Sequence, residues 1–398
     1  MITEAGHLAA RAKVDAWIDR ELEAAMTATE YGRAIQACWR SISPDIGNQL
    51  AHAFRQIPGG DSTHNRILID ALQNGEADSY YKALFHQALA LVQAADRDER
   101  GEALENIRIA FLPSNSRYAA IFEPAVAPGW LVIGFDWGVL CAVMTLAGVV
   151  SNCVQGGFTG DGAMDWRLIP EGAVQHFDAH PELQTLLIEG LAPSLLPSMP
   201  PIAPTFGAAV HQMVFGLMVM KAMVFGLVAH EYAHARHAHF RDPRLKSELR
   251  SQLEHEADAT AILFALKDPW ALIAKHQAAY NPQERTFTVA GCLLLQCLLK
   301  QLQMGDCMVR DLTGTPGRQE THPDPADRMK GLRQVIDLLL PTNTVQRREV
   351  EKYAWFLINL ADAIWNRSIE PMIDYLRQRE ELEILALANV PDAELRLF

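Results

Sequence analysis

The sequence predicts a mostly α-helical protein of the α+β class with one small sheet. Three observations predict it. Apolar residues recur at helical spacing up to residue 107 and again beyond residue 206. Three short runs rich in β-branched and aromatic residues, bounded by Pro and Gly, lie between them. Four of the chain's 14 histidines crowd into "VAHEYAHARHAHF" (Val228–Phe240), directly behind an apolar helical stretch.

Taken in order, "EAGHLAARAKVDAWIDRELEAAM" and "DSYYKALFHQALALVQAA" carry apolar residues at helical spacing, with the loop "QIPGGDSTHN" between them. They make residues 1–107 an N-terminal helical region. "RIAFLP", "YAAIFEPAV" and "GWLVIGFDWG" read as strands, the last two joined by a turn at Pro128-Gly129. "VLCAVMTLAGVV" follows as a buried helix. Residues 154–205, glycine-rich at "QGGFTGDG" and punctuated by seven prolines from Pro170 to Pro204, are expected to be an irregular insertion or lid. A long helix is expected from Phe206 to His239. Asp242 is placed to N-cap the next, with Pro243 at its first position, running to about Lys267. Further helices lead to residue 341, and residues 342–398 form a C-terminal helical region.

Composition excludes some classes of function. The 398 residues carry a formal charge of −13, 48 acidic against 35 Lys plus Arg, and no basic block, so nucleic acid is not expected as a partner. The start, "MITEAGHLAARAKVDAW", lacks the apolar core of a secretory signal. Six cysteines without a C-x-x-C pair read as free thiols of a reducing compartment, which makes a cytoplasmic location the expectation. From Phe206 to Ala229 the longest uninterrupted apolar run is eight residues, short of the ~18 expected of a span. A core helix is therefore expected there, and membrane association is not.

The histidines sort by helix geometry. At 100° per residue, His230 and His234 fall on one face one turn apart, and both imidazoles can meet a single ion. Glu231 lies 100° round from His230, near enough to reach a metal's ligand without binding the metal. This is the H-E-x-x-H arrangement of two zinc ligands and a general base. The next predicted helix, "QLEHEADATAI", puts Glu254 and Asp258 four residues apart on one face. Glu254 is the candidate third ligand, leaving an open coordination position, and Asp258 can hold an imidazole in one tautomer. Glu256, pointing elsewhere, competes with Glu254 but lacks the i+4 carboxylate partner. On an unbroken helix His237 lies about 10 Å along from His230, out of reach of its metal, and His239 sits on the opposite side. Packing or support near the helix end is the expectation for both.

H-E-x-x-H followed by E-x-x-A-D resembles the glutamate-liganded zinc peptidases, the gluzincins. "ETHPDPADRMKGL" (Glu320–Leu332) is similar to the T-H-P-x-x-x-x-R segment of the family of CAAX prenyl endopeptidases and HtpX, through His322, Pro323 and Arg328. His239 fits that family's H-E-x-x-H-x-x-x-x-H pattern. The resemblance covers residues 108–341 and implies a zincin-like metallopeptidase domain. The short interval from His234 to Glu254 is closer to compact soluble zincins, including bacterial phage-exclusion peptidases.

The resemblance implies that His322 and Arg328 reach the active site. His322 would supply a donor to the oxyanion, and Arg328 would orient Asp258 or a substrate carboxylate. It also implies that "GWLVIGFDWG" is an active-site edge strand, so that a protein or peptide substrate would add as an extended strand alongside residues 129–136. The expected activity is zinc-dependent endopeptidase hydrolysis, one Zn2+ per chain, with Glu231 as general base. The alternative is a zinc-binding interaction or regulatory protein on the same fold, its hydrolase activity weak, latent or lost.

Overall fold

A computed structural model describes residues 4–28, 77–112, 119–158, 164–196, 209–241, 247–267, 283–313, 324–341 and 344–378, with short pieces between 33 and 74. Its elements, in chain order, are α1 (Glu4–Ala28), α2 (Ala77–Arg100), β1 (Ile107–Leu112), β2 (Ala119–Phe122), β3 (Leu131–Asp136), α3 (Trp137–Cys153), β4 (Gln155–Phe158) and β5 (Met164–Arg167). They continue with α4 (Pro170–Ala179), α5 (Pro181–Leu195), α6 (Val210–Arg236), a 3-10 turn (His239–Arg241), α7 (Ser247–Leu266), α8 (Gln283–Thr313), α9 (Pro325–Leu339) and α10 (Val345–Arg377). The protein is mostly helical with a three-stranded mixed sheet and a two-stranded hairpin, the α+β class the sequence predicts.

All three predicted strands form. β1 pairs with β3 in parallel and β2 pairs with β3 antiparallel, giving the order β1-β3-β2. The turn before β3 is made at Gly129, whose φ of 83° lies in the left-handed region that glycine tolerates. This order corrects the expected substrate edge at residues 129–136. β3 is the central strand, fully buried, with both of its sides hydrogen-bonded to neighbours. The reading failed because an apolar run without alternation marks a strand covered on both faces rather than an edge.

The irregular insertion expected at 154–205 is also corrected. Its described residues form the β4–β5 hairpin and helices α4 and α5. Pro170 and Pro181 sit at the first positions of those two helices, where a missing N–H costs nothing. They start helices rather than break them. Trp166 of the hairpin packs on Phe215 and Phe287 and donates its indole N–H to the His211 carbonyl, 3.0 Å away, pinning the start of α6.

α6 runs through the middle of the core. Packed around it are α2, α3, α7 and α8. α8 comes close because residue 291 is glycine: a Cβ there would lie 2.4 Å from the Ala222 Cβ. α6 and the Thr286–Thr313 part of α8 are long and apolar enough to cross a membrane by length and composition, the second unforeseen in the sequence reading. Their most apolar windows are 94% and 78% buried against the rest of the chain. The flanking helices share this core. Phe85 and Val92 of α2, and Phe356 and Ile364 of α10, belong to the same buried cluster as Phe215 and Phe225 of α6.

Candidate metal centre

Three helices bring the site together, each for a local reason. α6 presents two opposite faces near its C-terminal end. Tyr232 is fully buried on one side, donating its hydroxyl to Asp96 of α2 at 2.6 Å and accepting the Leu104 N–H at 2.7 Å. This anchors the helix and points His230 and His234 the other way, towards α7. α9 begins at Asp324, whose carboxylate accepts the Ala326 N–H at 2.7 Å, with Pro325 at the first helical position. That start sets Arg328 one turn into the helix, buried against α7.

The imidazole Nε2 atoms of His230 and His234 stand 3.1 Å apart. Glu254 Oε2 is 3.3 Å from the first and Glu254 Oε1 3.6 Å from the second. Ligand atoms around a tetrahedral zinc at about 2.0–2.1 Å stand roughly 3.3 Å from one another. Two imidazole nitrogens and a carboxylate at that spacing fit such an ion, and the group can hold a metal. Glu231 lies beside it and is only partly exposed.

A chain of charged side chains backs His230. Its Nδ1–H donates to Asp258 Oδ1 at 2.9 Å, which turns Nε2 towards the cluster. Arg328 grips Asp258 with two bonds of 2.7 Å, from Nε to Oδ2 and from Nη2 to Oδ1. Gln296 of α8 donates to Oδ1 at 3.2 Å. Arg328 Nη1 also lies 3.6 Å from Glu254. The arginine thus stands behind the histidine and its carboxylate partner.

The charge states follow from this packing. Burial alone would raise Asp258, but Arg328 and His230 hold it down at about 2. Burial would also raise Glu254, and its hydrogen bonds to the two histidines keep it well below the usual carboxylate range. Burial and the Arg328 charge pull His230 down; the Asp258 and Glu254 carboxylates override both and raise it to about 10. The group that ought to hold a cation is thus already strongly attractive to positive charge, here a proton. Glu231 is shifted up, chiefly by burial, against the opposing pull of His230 and His234.

The structure departs from the sequence reading at the end of α6. The helix stops at Arg236, and Ala238 takes a left-handed φ of 55°. The chain turns back through the 3-10 segment, and His239 is buried against His234, their Nδ1 atoms 2.9 Å apart. His237 and His239 stack at 5.3 Å, and both face Glu256. Glu256, weighed as a rival ligand for the first cluster, belongs to this second one. The sequence carries no glycine at this helix end to signal the stop; an alanine takes the left-handed turn instead. His322, the candidate oxyanion donor, and the expected cap at Asp242 lie outside the described residues.

No curated protein and no solved structure matches the chain. Residues 196–347, which hold every side chain of both clusters, match the model of a family described as Peptidase U49, and that match supports a peptidase.

Proposed function

We propose that the protein is a zinc-dependent endopeptidase. The observation that carries this reading is the buried group of His230, His234 and Glu254, at the spacing of one ion's ligands and with Glu231 beside it. These three side chains would hold the ion. When bound, a zinc ion would supply Lewis acidity, polarising a peptide carbonyl and bringing the pKa of a water towards neutrality. Glu231 takes the proton of the attacking water and delivers it to the leaving amine; its upward-shifted pKa suits a group that must both accept and release a proton.

Asp258 and Arg328 position rather than react. They hold His230 by Nδ1, so that its Nε2 would be the atom offered to an ion. The proposed oxyanion donor is His322, six residues before Arg328. An extended peptide would lie along β2, which among the described residues has a neighbour on one side only and touches α6. Its end is tied to the histidine region by the Arg241–Glu123 ion pair at 3.0 Å.

Digestion of casein and of a peptide library with and without chelator tests the reading. Cleavage within chains that stops on chelation and returns with added zinc is the expected result. Cleavage indifferent to chelator would overturn the metal assignment. A zinc-loaded, folded protein that cleaves nothing would favour the interaction-protein alternative.

A further inference from the structure

We propose that His237, His239 and Glu256 form a second divalent-cation site, weaker than the first and adjoining it. A ligand atom from each of the three lies within 4.8 Å of the others. His237 Nδ1 is 3.5 Å from Glu256 Oε1, and His239 Nε2 is 3.5 Å from Glu256 Oε2. Such separations are long for hydrogen bonds and close to the edge of a zinc coordination tetrahedron, roughly 3.3 Å.

The hydrogen-bond directions around His237 strengthen the assignment. Thr260 donates its one hydroxyl hydrogen to the Glu256 carbonyl at 2.9 Å. Its oxygen can therefore only accept from His237 Nε2, 3.3 Å away. A neutral His237 then carries its proton on Nε2 and turns the bare Nδ1 lone pair towards the Glu256 carboxylate. A lone pair facing an anion calls for a cation between them. Among the described residues, the arginines whose charges bear on His237 are engaged elsewhere: Arg100 lies 3.9 Å from Asp96, and Arg236 lies 3.5 Å from both Asp96 and Glu102.

The same geometry explains why this site is the weaker one. A neutral imidazole bound to metal through Nε2 keeps its proton on Nδ1. His234 and His239 face each other Nδ1 to Nδ1 at 2.9 Å, where only one proton fits. The two sites therefore hinder each other when both are filled, and the first, braced by Asp258 and Arg328, fills first. The second carboxylate is also half-exposed and has no counterpart of Asp258 and Arg328 described behind its histidines. The proposal stands on this cluster's own geometry and does not need the peptidase reading.

A count of zinc per chain tests it. Full-length protein is stripped with chelator and dialysed against rising free Zn2+ alone. Bound metal is read by elemental analysis for the parent, His237→Ala, Glu256→Gln and Glu254→Ala, each checked for helical circular dichroism. The parent should take up two ions in two steps. His237→Ala and Glu256→Gln should each keep the tight step and weaken the other at least tenfold. One ion in the parent, kept in His237→Ala and lost in Glu254→Ala, would overturn the second site and leave the first standing. Two unchanged steps in both His237→Ala and Glu256→Gln would also overturn it, placing the extra ion elsewhere, for instance at the adjoining His176–His180 pair. An ion lost in His237→Ala but kept in Glu254→Ala would support the second site and sink the catalytic assignment. No zinc in any form would sink both.

Discussion

Two clusters of the same composition, two imidazoles and one glutamate, adjoin at the end of α6, and they differ in what stands behind them. His230, His234 and Glu254 are closed in by α7, α8 and α9, with Asp258, Arg328 and Gln296 locking the first imidazole. His237, His239 and Glu256 sit where the helix has ended, with Glu256 about half-exposed and Thr260 the main fixed partner of His237. Ligand identity alone does not make a catalytic centre. Buried charge behind the ligands sets their tautomers in advance, and a neighbouring base gives a bound ion something to act with.

The sharpest contrast concerns Glu231, which among the described residues has no equivalent beside the second cluster. Glu231→Gln should lower peptide cleavage by about 10²–10⁴-fold while zinc content stays at the parent level, measured by initial rates beside elemental analysis. A variant that cleaves at the parent rate removes Glu231 as the base.

Next in size is the effect of removing charge behind each cluster. Arg328→Ala strands Asp258 and Glu254 as buried carboxylates without their cation and should cost about 3–5 kcal/mol in urea unfolding. Glu256→Gln, half-exposed, should stay within about 0.5 kcal/mol of the parent in the absence of metal. Equal losses from the two would erase the distinction drawn between the clusters.

Asp258→Asn probes the lock on His230 more gently. It should weaken the tight zinc step by about 10–100-fold, read by competition with a chromophoric chelator, and leave the weaker step unchanged. The smallest expected effect lies at the joint between the clusters. Ala238→Gly removes the Cβ from a left-handed residue and should stabilise the protein by about 1 kcal/mol. Destabilisation there would mean that the turn which brings His239 back to His234 is not held as described.

Much of the first cluster was legible because its information is local. His230 and His234 share a helix face by spacing, and Glu254 and Asp258 share another, so only the meeting of two faces remained to be guessed. The second cluster was illegible for the converse reason. It depends on where a helix stops, and no glycine marks that end; an alanine adopts the left-handed turn instead. The sheet shows the same division. Each strand could be read from its own residues, but the order β1-β3-β2 is set by pairing across the chain, and the family resemblance placed β3, apolar except for Asp136, at an edge. Prolines misled where position within a helix decides their meaning, as at Pro170 and Pro181.

The most direct test of the central claim is anomalous diffraction at the zinc edge, from crystals of the full-length protein grown with one equivalent of zinc. The account predicts the strongest peak about 2 Å from Nε2 of both His230 and His234 and from a Glu254 oxygen. A strongest peak at any other group of side chains, with those three left apart, would contradict it.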